Sequence, residues 1–399
     1  MKLAAYVCVV ALVAAGCASD SDGEANGGNQ ATTTTGTATT PPPTPATSTT
    51  TTGSSTTVEA IAAVPAGPIA FNGQGNDLVA YDDTGASQRV ITNAGDDPEG
   101  RDINGQVCFL DDRHFVAGED TNQPDPPAGF GIFSLEGSGV GDLIAAQVGK
   151  LTPTYQDDDA APEPYGCGVL PDGRLVTTDI GNQASGPESG QLIVWFPPIA
   201  GSETEFCKVD TTIGTAGQVA IDGDDVLVAS ARGATAGVQR YRDLPTGPTA
   251  ADGCDGEDSD GSPMVTAADR SLFIDPADGN LGLANGITAS DDGWFVSSVI
   301  GGLINEYDQA GQFVRTVLEP ADDDTLDETP FLTGTPLGIA YDNGVLWYAD
   351  IGVVITPDNI GPGDRTGTVR LIRFTDDEPG EPEIIDEGLA FPDAIGIGP

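Results

Sequence analysis

Three oxygen-bearing side chains, Glu99, Asn285 and Asp393, each stand one residue ahead of a Gly or Ala in a phrase that recurs along the chain. The phrase is a small residue, a short apolar run, an Asp- or Asn-rich turn, then a second apolar run. It reads EGRDINGQVCFLDDRHFVAGED from Glu99, YGCGVLPDGRLVTTDIGN from Tyr165 and AGQVAIDGDDVLVASA from Ala216. It returns as ANGITASDDGWFVSSV from Ala284 and TPLGIAYDNGVLWYADIG from Thr335, and ends, cut short, as DAIGIGP from Asp393. Carboxylate and amide oxygens gathered from separate copies are the donors that a hard cation such as Ca²⁺ takes, with water completing its shell.

Other chemistries find little support in the residues. The chain has one histidine, His114, beside a turn, so a Ser-His-Asp relay has one candidate base and a surface role for it is simpler. There is no GxSxG, no GxGxxG after a strand and no phosphate loop. The stretch DGCDGEDSDG, residues 252–261, has the look of a calcium loop. With Gly261 as its central glycine, the first and last ligand positions fall on Gly256 and Ala267, so it is not an EF-hand. The runs Asp157–Asp159 and Asp322–Asp324 read as solvated loops.

The elements that would position Glu99, Asn285 and Asp393 are strands. Each copy is two apolar runs joined by a turn such as Asp172-Gly173, Asp292-Gly293 or Asn343-Gly344, whose residues tolerate the positive φ of a tight hairpin. A second pair follows, as in GLINEYDQAGQFVRTVL and GTVRLIRFTDDEPGEPEIID. Four antiparallel strands per repeat predict an all-β, six-bladed β-propeller. The last copy holds one strand, and the outer strands of its blade are sought in NDLVAYDDTGASQRVIT, residues 76–92. A composite N/C-terminal blade would close the ring and remove two free sheet edges.

In such a blade the start of the first strand and the end of the second share a face. With Gly100, Gly166, Gly217, Gly286, Gly338 and Ala394 as anchors, the mouth is ringed by Glu99, Tyr165, Ala216, Asn285, Leu337 and Asp393. The second-strand ends add Glu119, Asp120, Asp179, Ser230, Ser298 and Asp350. Glu99 and Asn285 face each other across the ring and Asp393 neighbours Glu99, so an axial divalent cation would reach all three. Trp294 and Trp347 lie in second strands and are expected to pack between blades.

The stretches EGRD, ANGITASDDG and TPLGIAYDNGVLWYAD resemble the gluconolactonase/regucalcin family and the related NHL-repeat propellers, over roughly residue 61 to the end. The resemblance implies a divalent metal on the propeller axis, held by a Glu of blade one, an Asn of blade four and an Asp of blade five, with a blade-three Asn on the substrate. The family Asp also serves as general base in lactone hydrolysis. Glu99 and Asn285 match the first two. The blade-five Asp falls on Leu337 and the blade-three Asn near Ala216, and a leucine neither binds metal nor takes a proton. Asp393, in a like phrase of blade six, is the candidate for a displaced carboxylate and hence for catalysis.

The first residues belong to export. MKLAAYVCVVALVAAGC pairs a basic Lys2 with an apolar run, Leu3–Ala15, too short to span a bilayer. VAAGC resembles a bacterial lipobox, which predicts a signal peptide over 1–16 and lipidation of Cys17. Residues 17–60 are Thr- and Pro-rich and bury nothing, so they read as a disordered tether, with the propeller over 61–399. Outside the cytoplasm, Cys108, Cys167, Cys207 and Cys254 predict two disulfides. Strand positions favour 108–167 and 207–254. A formal charge of −47 repels nucleic acid and favours cations. The chain is expected to be a monomer anchored to the cell membrane by lipid, on the extracytoplasmic side.

Two functions are compatible with this sequence. One is a tethered module that binds a small molecule, an extracellular protein or a glycan, with a structural divalent metal, Ca²⁺ by preference, in its mouth. The other is a metal-dependent hydrolase of lactones or related esters.

Overall fold

Strands form at the apolar runs of the repeats, and tight turns join them. In the computed structural model, the residues described are 69–74, 77–92, 101–121, 128–152, 154, 163–181, 188–299, 301–319, 324–326, 329–332, 335–355, 360–362 and 365–398. The leader, Cys17, the tether and Glu99 lie outside them. Asp342 and Val345 pair directly across Asn343 and Gly344, both at positive φ (49° and 77°). That is the two-residue hairpin loop which matches strand twist. Second strands such as Gly293–Ser298 are buried on both faces, which is why their apolar runs do not alternate.

Six blades result, each built on four antiparallel strands. The sheet of blade two is extended by Gly256–Glu257 and Pro263–Met264, the latter pairing in parallel with Phe206–Ile213. Blade five carries the short extra strand Glu378–Pro379. The inner strands, in ring order, are Arg101–Asp111, Pro164–Val169, Ala216–Asp222, Ala284–Ala289, Pro336–Asp342 and Pro392–Gly398. The sixth blade is composite, as expected. Pro392–Gly398 pairs with Ile69–Gln74, followed outward by Asp77–Tyr81 and Ser87–Thr92. The clasp thus holds one N-terminal strand more than the sequence suggested. Also unforeseen is a small extra sheet of two hairpins, Asp324–Leu326 with Thr329–Leu332 and Val353–Ile355 with Ile360–Pro362. Among the described residues the helical segments are two short 3₁₀ turns, and no helix is long and apolar enough to cross a membrane.

The core is divided among the seams between blades. Six apolar clusters each join two neighbours, for example Val176, Leu192 and Val219 between blades two and three. Trp294 and Trp347 sit in such seams, as their place in the second strands suggested. Both disulfides follow the expected pairing. Cys108–Cys167 ties the inner strands of blades one and two. Cys207–Cys254 fastens an insert of blade three to the outer strand of blade two, with Cα atoms 6.1 Å apart. That insert contains the calcium-like stretch, and its Asp258 and Asp260 clamp Lys208 Nζ at 2.7 and 2.9 Å. Lys208 is fully buried, and these carboxylates neutralise it.

Candidate functional site on the propeller axis

Every inner strand begins with the same irregularity. Pairing with the second strand slips between Pro164 and Cys167, Ala216 and Val219, Ala284 and Ile287, and Pro336 and Ile339. Such bulges re-aim side chains at a strand end. They bring the anchor residues so near the axis that side chains do not fit. A Cβ on Gly217 would lie 2.3 Å from Asn285 O, and one on Gly166 would lie 2.4 Å from Gly217 O. Hydroxyls on the second strands bridge these close approaches. Thr178 Oγ1 accepts from Gly166 N–H and donates to Gly217 O, at 2.8 and 2.7 Å. Ser297 does the same between Gly286 N–H and Leu337 O.

Blade one corrects the expected register. Its slip lies between Asn104 and Cys108, and a Cβ on Gly105 would strike the backbone of Tyr165. Asn104-Gly105 therefore holds the place that Asn285-Gly286 holds in blade four, five residues downstream of Glu99-Gly100. The sequence carried the signal, because INGQV in blade one parallels ANGIT in blade four.

Tyr165, Asn285 and Asp393 meet at this level. Asn285 Nδ2 donates to Tyr165 Oη at 2.6 Å and more weakly to Leu337 O. Tyr165 hydrogen-bonds Asp393, whose Oδ2 accepts from Gly105 N–H at 3.1 Å. Burial, and then the Asp393 charge, push the Tyr165 phenol well above its ordinary pKa, so it stays protonated and donates. Tyr165 and Asp393 are each 3% exposed and Asn285 7%. Over them lies an apolar cluster of Val299, Leu337, Ile351, Val353 and Ala394, with Ile180 and Phe391 against it. On their inner side two glutamines cross the tunnel. Gln106 accepts from Cys167 and Val219 N–H, and Gln218 accepts from Ile339 N–H. They satisfy inner-edge backbone groups that no neighbouring strand pairs.

The second-strand ends hold loops. Asp350 Oδ1 accepts from Thr335 N–H, Thr335 Oγ1 and Gly352 N–H. Asp179 Oδ1 accepts from Glu163 and Gly181 N–H. Ser298 Oγ accepts from Leu283 and Gly301 N–H, and Ser230 Oγ donates to Gly214 O. Glu119 is buried and paired with Lys150 Nζ at 2.9 Å and Gln147 Nε2 at 2.9 Å. The Asp120 side chain lies outside the described residues. His114 is remote from all of them, on a hairpin turn where its Nδ1 meets Asp111.

A divalent cation here would draw on Asn285, Asp393 and Glu99. Among the described residues, Asp393 and Asn285 already bind Gly105 N–H and the Tyr165 phenol, and no three His, Cys, Asp or Glu side chains form a group able to hold a metal. One carboxylate and two neutral groups fall short of the oxygen shell that Ca²⁺ takes. The described residues do not make a cation site by themselves.

No protein-family model matches the chain, and no curated protein matches it. Solved structures are similar in fold. A chain of the nidogen/laminin complex aligns with 11% identity and TM-score 0.49, over 84% of this chain and 99% of that one. A calcium-binding protein, regucalcin, from Agrobacterium tumefaciens aligns with 13% identity and TM-score 0.43, over 73% and 83%. The PQQ-bound aldose sugar dehydrogenase of Streptomyces coelicolor aligns with 12% identity and TM-score 0.37, over 73% and 90%. The strand pairing of this chain itself establishes a six-bladed β-propeller, closed by a composite blade and sealed on its axis by Tyr165, Asn285 and Asp393.

Proposed function

We propose that this propeller is a surface-tethered binding module, held to the membrane by a lipidated Cys17 and lacking the hydrolysis its repeats bring to mind. One observation carries the reading. Tyr165, Asn285 and Asp393 hydrogen-bond one another beside an apolar cluster, so Asp393 is engaged by Tyr165 and Gly105, although the nearby Asn104 Oδ1 is buried without a hydrogen-bond partner among the described residues. A general base must reach the proton it removes, and neither Ala216 nor Leu337, both buried, can supply the missing groups. Ca²⁺ is not required by this reading. If it binds, its ligands would be Asn285 and Asp393 together with Glu99.

Turnover of a panel of small lactones, with Ca²⁺, Mn²⁺ or Zn²⁺ added, tests the proposal. No turnover above buffer is expected. Turnover abolished by Asp393→Asn would replace this reading with the metal-dependent hydrolase. The tether has its own test: Cys17→Ala should release the protein into the medium, since a diacylated Cys supplies the two chains stable anchoring needs. Retention of that variant in the membrane fraction would contradict lipid anchoring.

A further inference from the structure

The axis has a second end. Beyond the two glutamines, all six inner strands line a cavity of about 380 Å³ on the face of the first hairpin turns. That volume lies within the range of small-molecule pockets. Its lip takes one side chain from each blade: Phe109, Val169, Ile221, Ala289, Tyr341 and Ile397. All are apolar or aromatic, and none is fully buried. Just outside, the turns 111–114, 171–174, 222–225, 290–293 and 342–345 carry nine aspartates against two arginines. Of these, Asp172 is paired with Arg174, and Asp222 and Asp225 with Arg240 and Arg242 from the neighbouring strand. Asp112, Asp224 and Asp292 in these turns are exposed. Tyr341 joins the two zones, since it lines the cavity and its hydroxyl donates to Asp291 at 2.6 Å, while its ring packs against Phe295 and Phe374.

We propose that this funnel binds a small organic cation with an apolar body, such as a protonated or quaternary amine. The wall removes apolar surface from water. The carboxylate ring lowers the potential at the opening, and low-dielectric walls focus that field inward. An anion would meet the same field with the opposite sign. A neutral ligand would gain the burial alone. Gln106 and Gln218 already occupy the backbone groups at the floor, so the occupant needs no polar partner there. The inference rests on reading the chain as a binding module, but it concerns a different end of the axis from Asp393.

Isothermal titration of the full chain with benzyltrimethylammonium, benzyl alcohol and phenylacetate tests it. The cation is expected to bind roughly tenfold more tightly than the alcohol, and phenylacetate not at all. The overall negative charge would attract any cation weakly, so two variants separate site from field. Ala289→Phe fills the mouth of the funnel without changing charge, and Ala289 is exposed, so the fold should tolerate it. It should abolish the binding. The triple change Asp112→Asn, Asp224→Asn and Asp292→Asn leaves the cavity intact and should weaken the cation about tenfold while leaving the alcohol unaffected. Equal affinity for cation and alcohol, or unchanged cation binding in Ala289→Phe, would overturn the proposal. Absence of binding in the wild type would do the same. Lactone turnover would sink the binding-module reading, whereas a failed cation titration sinks the funnel alone.

Discussion

The two ends of the propeller axis are built from the same six strands and are unlike in every physical respect. At one end Tyr165, Asn285 and Asp393 are buried, hydrogen-bonded together and covered by apolar side chains. At the other a cavity with an apolar rim and a mixed polar and apolar wall faces the acidic turns. The difference shows that polar residues on an axis do not by themselves mark a binding site. Buried polar groups must find partners, and where they find them in each other their contribution is to fold specificity. The lip differs in that Phe109, Val169, Ile221, Tyr341 and Ile397 are half-buried against the seams between blades while Ala289 is exposed, which leaves an open rim with one side chain from each blade.

The largest test of this contrast removes both ends at once. Deleting residues 391–399 takes away the inner strand of blade six, with Asp393 at the sealed end and Ile397 at the open lip. It also leaves Ile69–Gln74 without its partner strand. Two exposed edges and the opened seams against blades five and one should abolish cooperative unfolding and promote aggregation. Calorimetry is the measurement. A single sharp transition at the wild-type temperature would mean that the ring does not depend on its clasp.

Much of this architecture was legible in the sequence because it rests on local signals. Turn residues with positive φ, strands buried on both faces and a truncated last copy require no knowledge of distant contacts. The disulfides were legible for the same reason, since repeat positions place Cys108 and Cys167 on neighbouring inner strands. The site was not legible to the same degree. The choice of Glu99 over Asn104 turned on a five-residue register error, within a copy whose inner strand carries an additional residue. The roles of Asp179 and Asp350 depend on which backbone N–H groups the loops bring to them, and no spacing rule encodes that. Nor could the sequence show that Tyr165 bridges Asn285 and Asp393, because the three meet only when blades two, four and six converge.

The next test separates the ends by what each contributes. Asn285→Ala deletes the donor to Tyr165 and leaves a buried phenol short of a partner. Such losses cost about 1–3 kcal/mol. Ala289→Phe, at the exposed lip, should change stability by no more than about 0.5 kcal/mol. Denaturant unfolding reads both values. Similar costs at both sites would erase the distinction between a sealed and an open end. The same experiment bears on calcium. A ligand that binds only the folded state stabilises it by about 2.7 kcal/mol at a hundredfold excess over its Kd. If Glu99, Asn285 and Asp393 held Ca²⁺, wild type would gain from the ion, and Asn285→Ala and Glu99→Gln would lose that gain. The sealed cluster predicts equal responses to Ca²⁺ in all three proteins.

The smallest effect appears at high pH. Burial and then the Asp393 charge raise the Tyr165 phenol well above its ordinary value, while the lip residue Tyr341 is raised by burial and then by Asp291. A phenol of raised pKa keeps its proton in the folded protein at a pH where the unfolded chain, titrating near 10, has lost it. The folded state then binds more protons than the unfolded one, so stability falls as pH rises. Each contribution is complete below pH about 10 and is lost as pH climbs from there through the folded pKa. Tyr81, Tyr241, Tyr307 and Tyr348 shift the same way, Tyr307 to about 12, so the whole protein should weaken steadily above pH 10. Tyr165→Phe should flatten that slope by close to one proton. Tyr341→Phe should flatten it less, because its hydroxyl bonds Asp291 in an exposed pair where solvent screens the charge. Urea unfolding from pH 9 to 11 gives both slopes. An equal change in the two variants would show that the sealed end is no better shielded from water than the lip, and the contrast between the ends would then have to rest on shape alone.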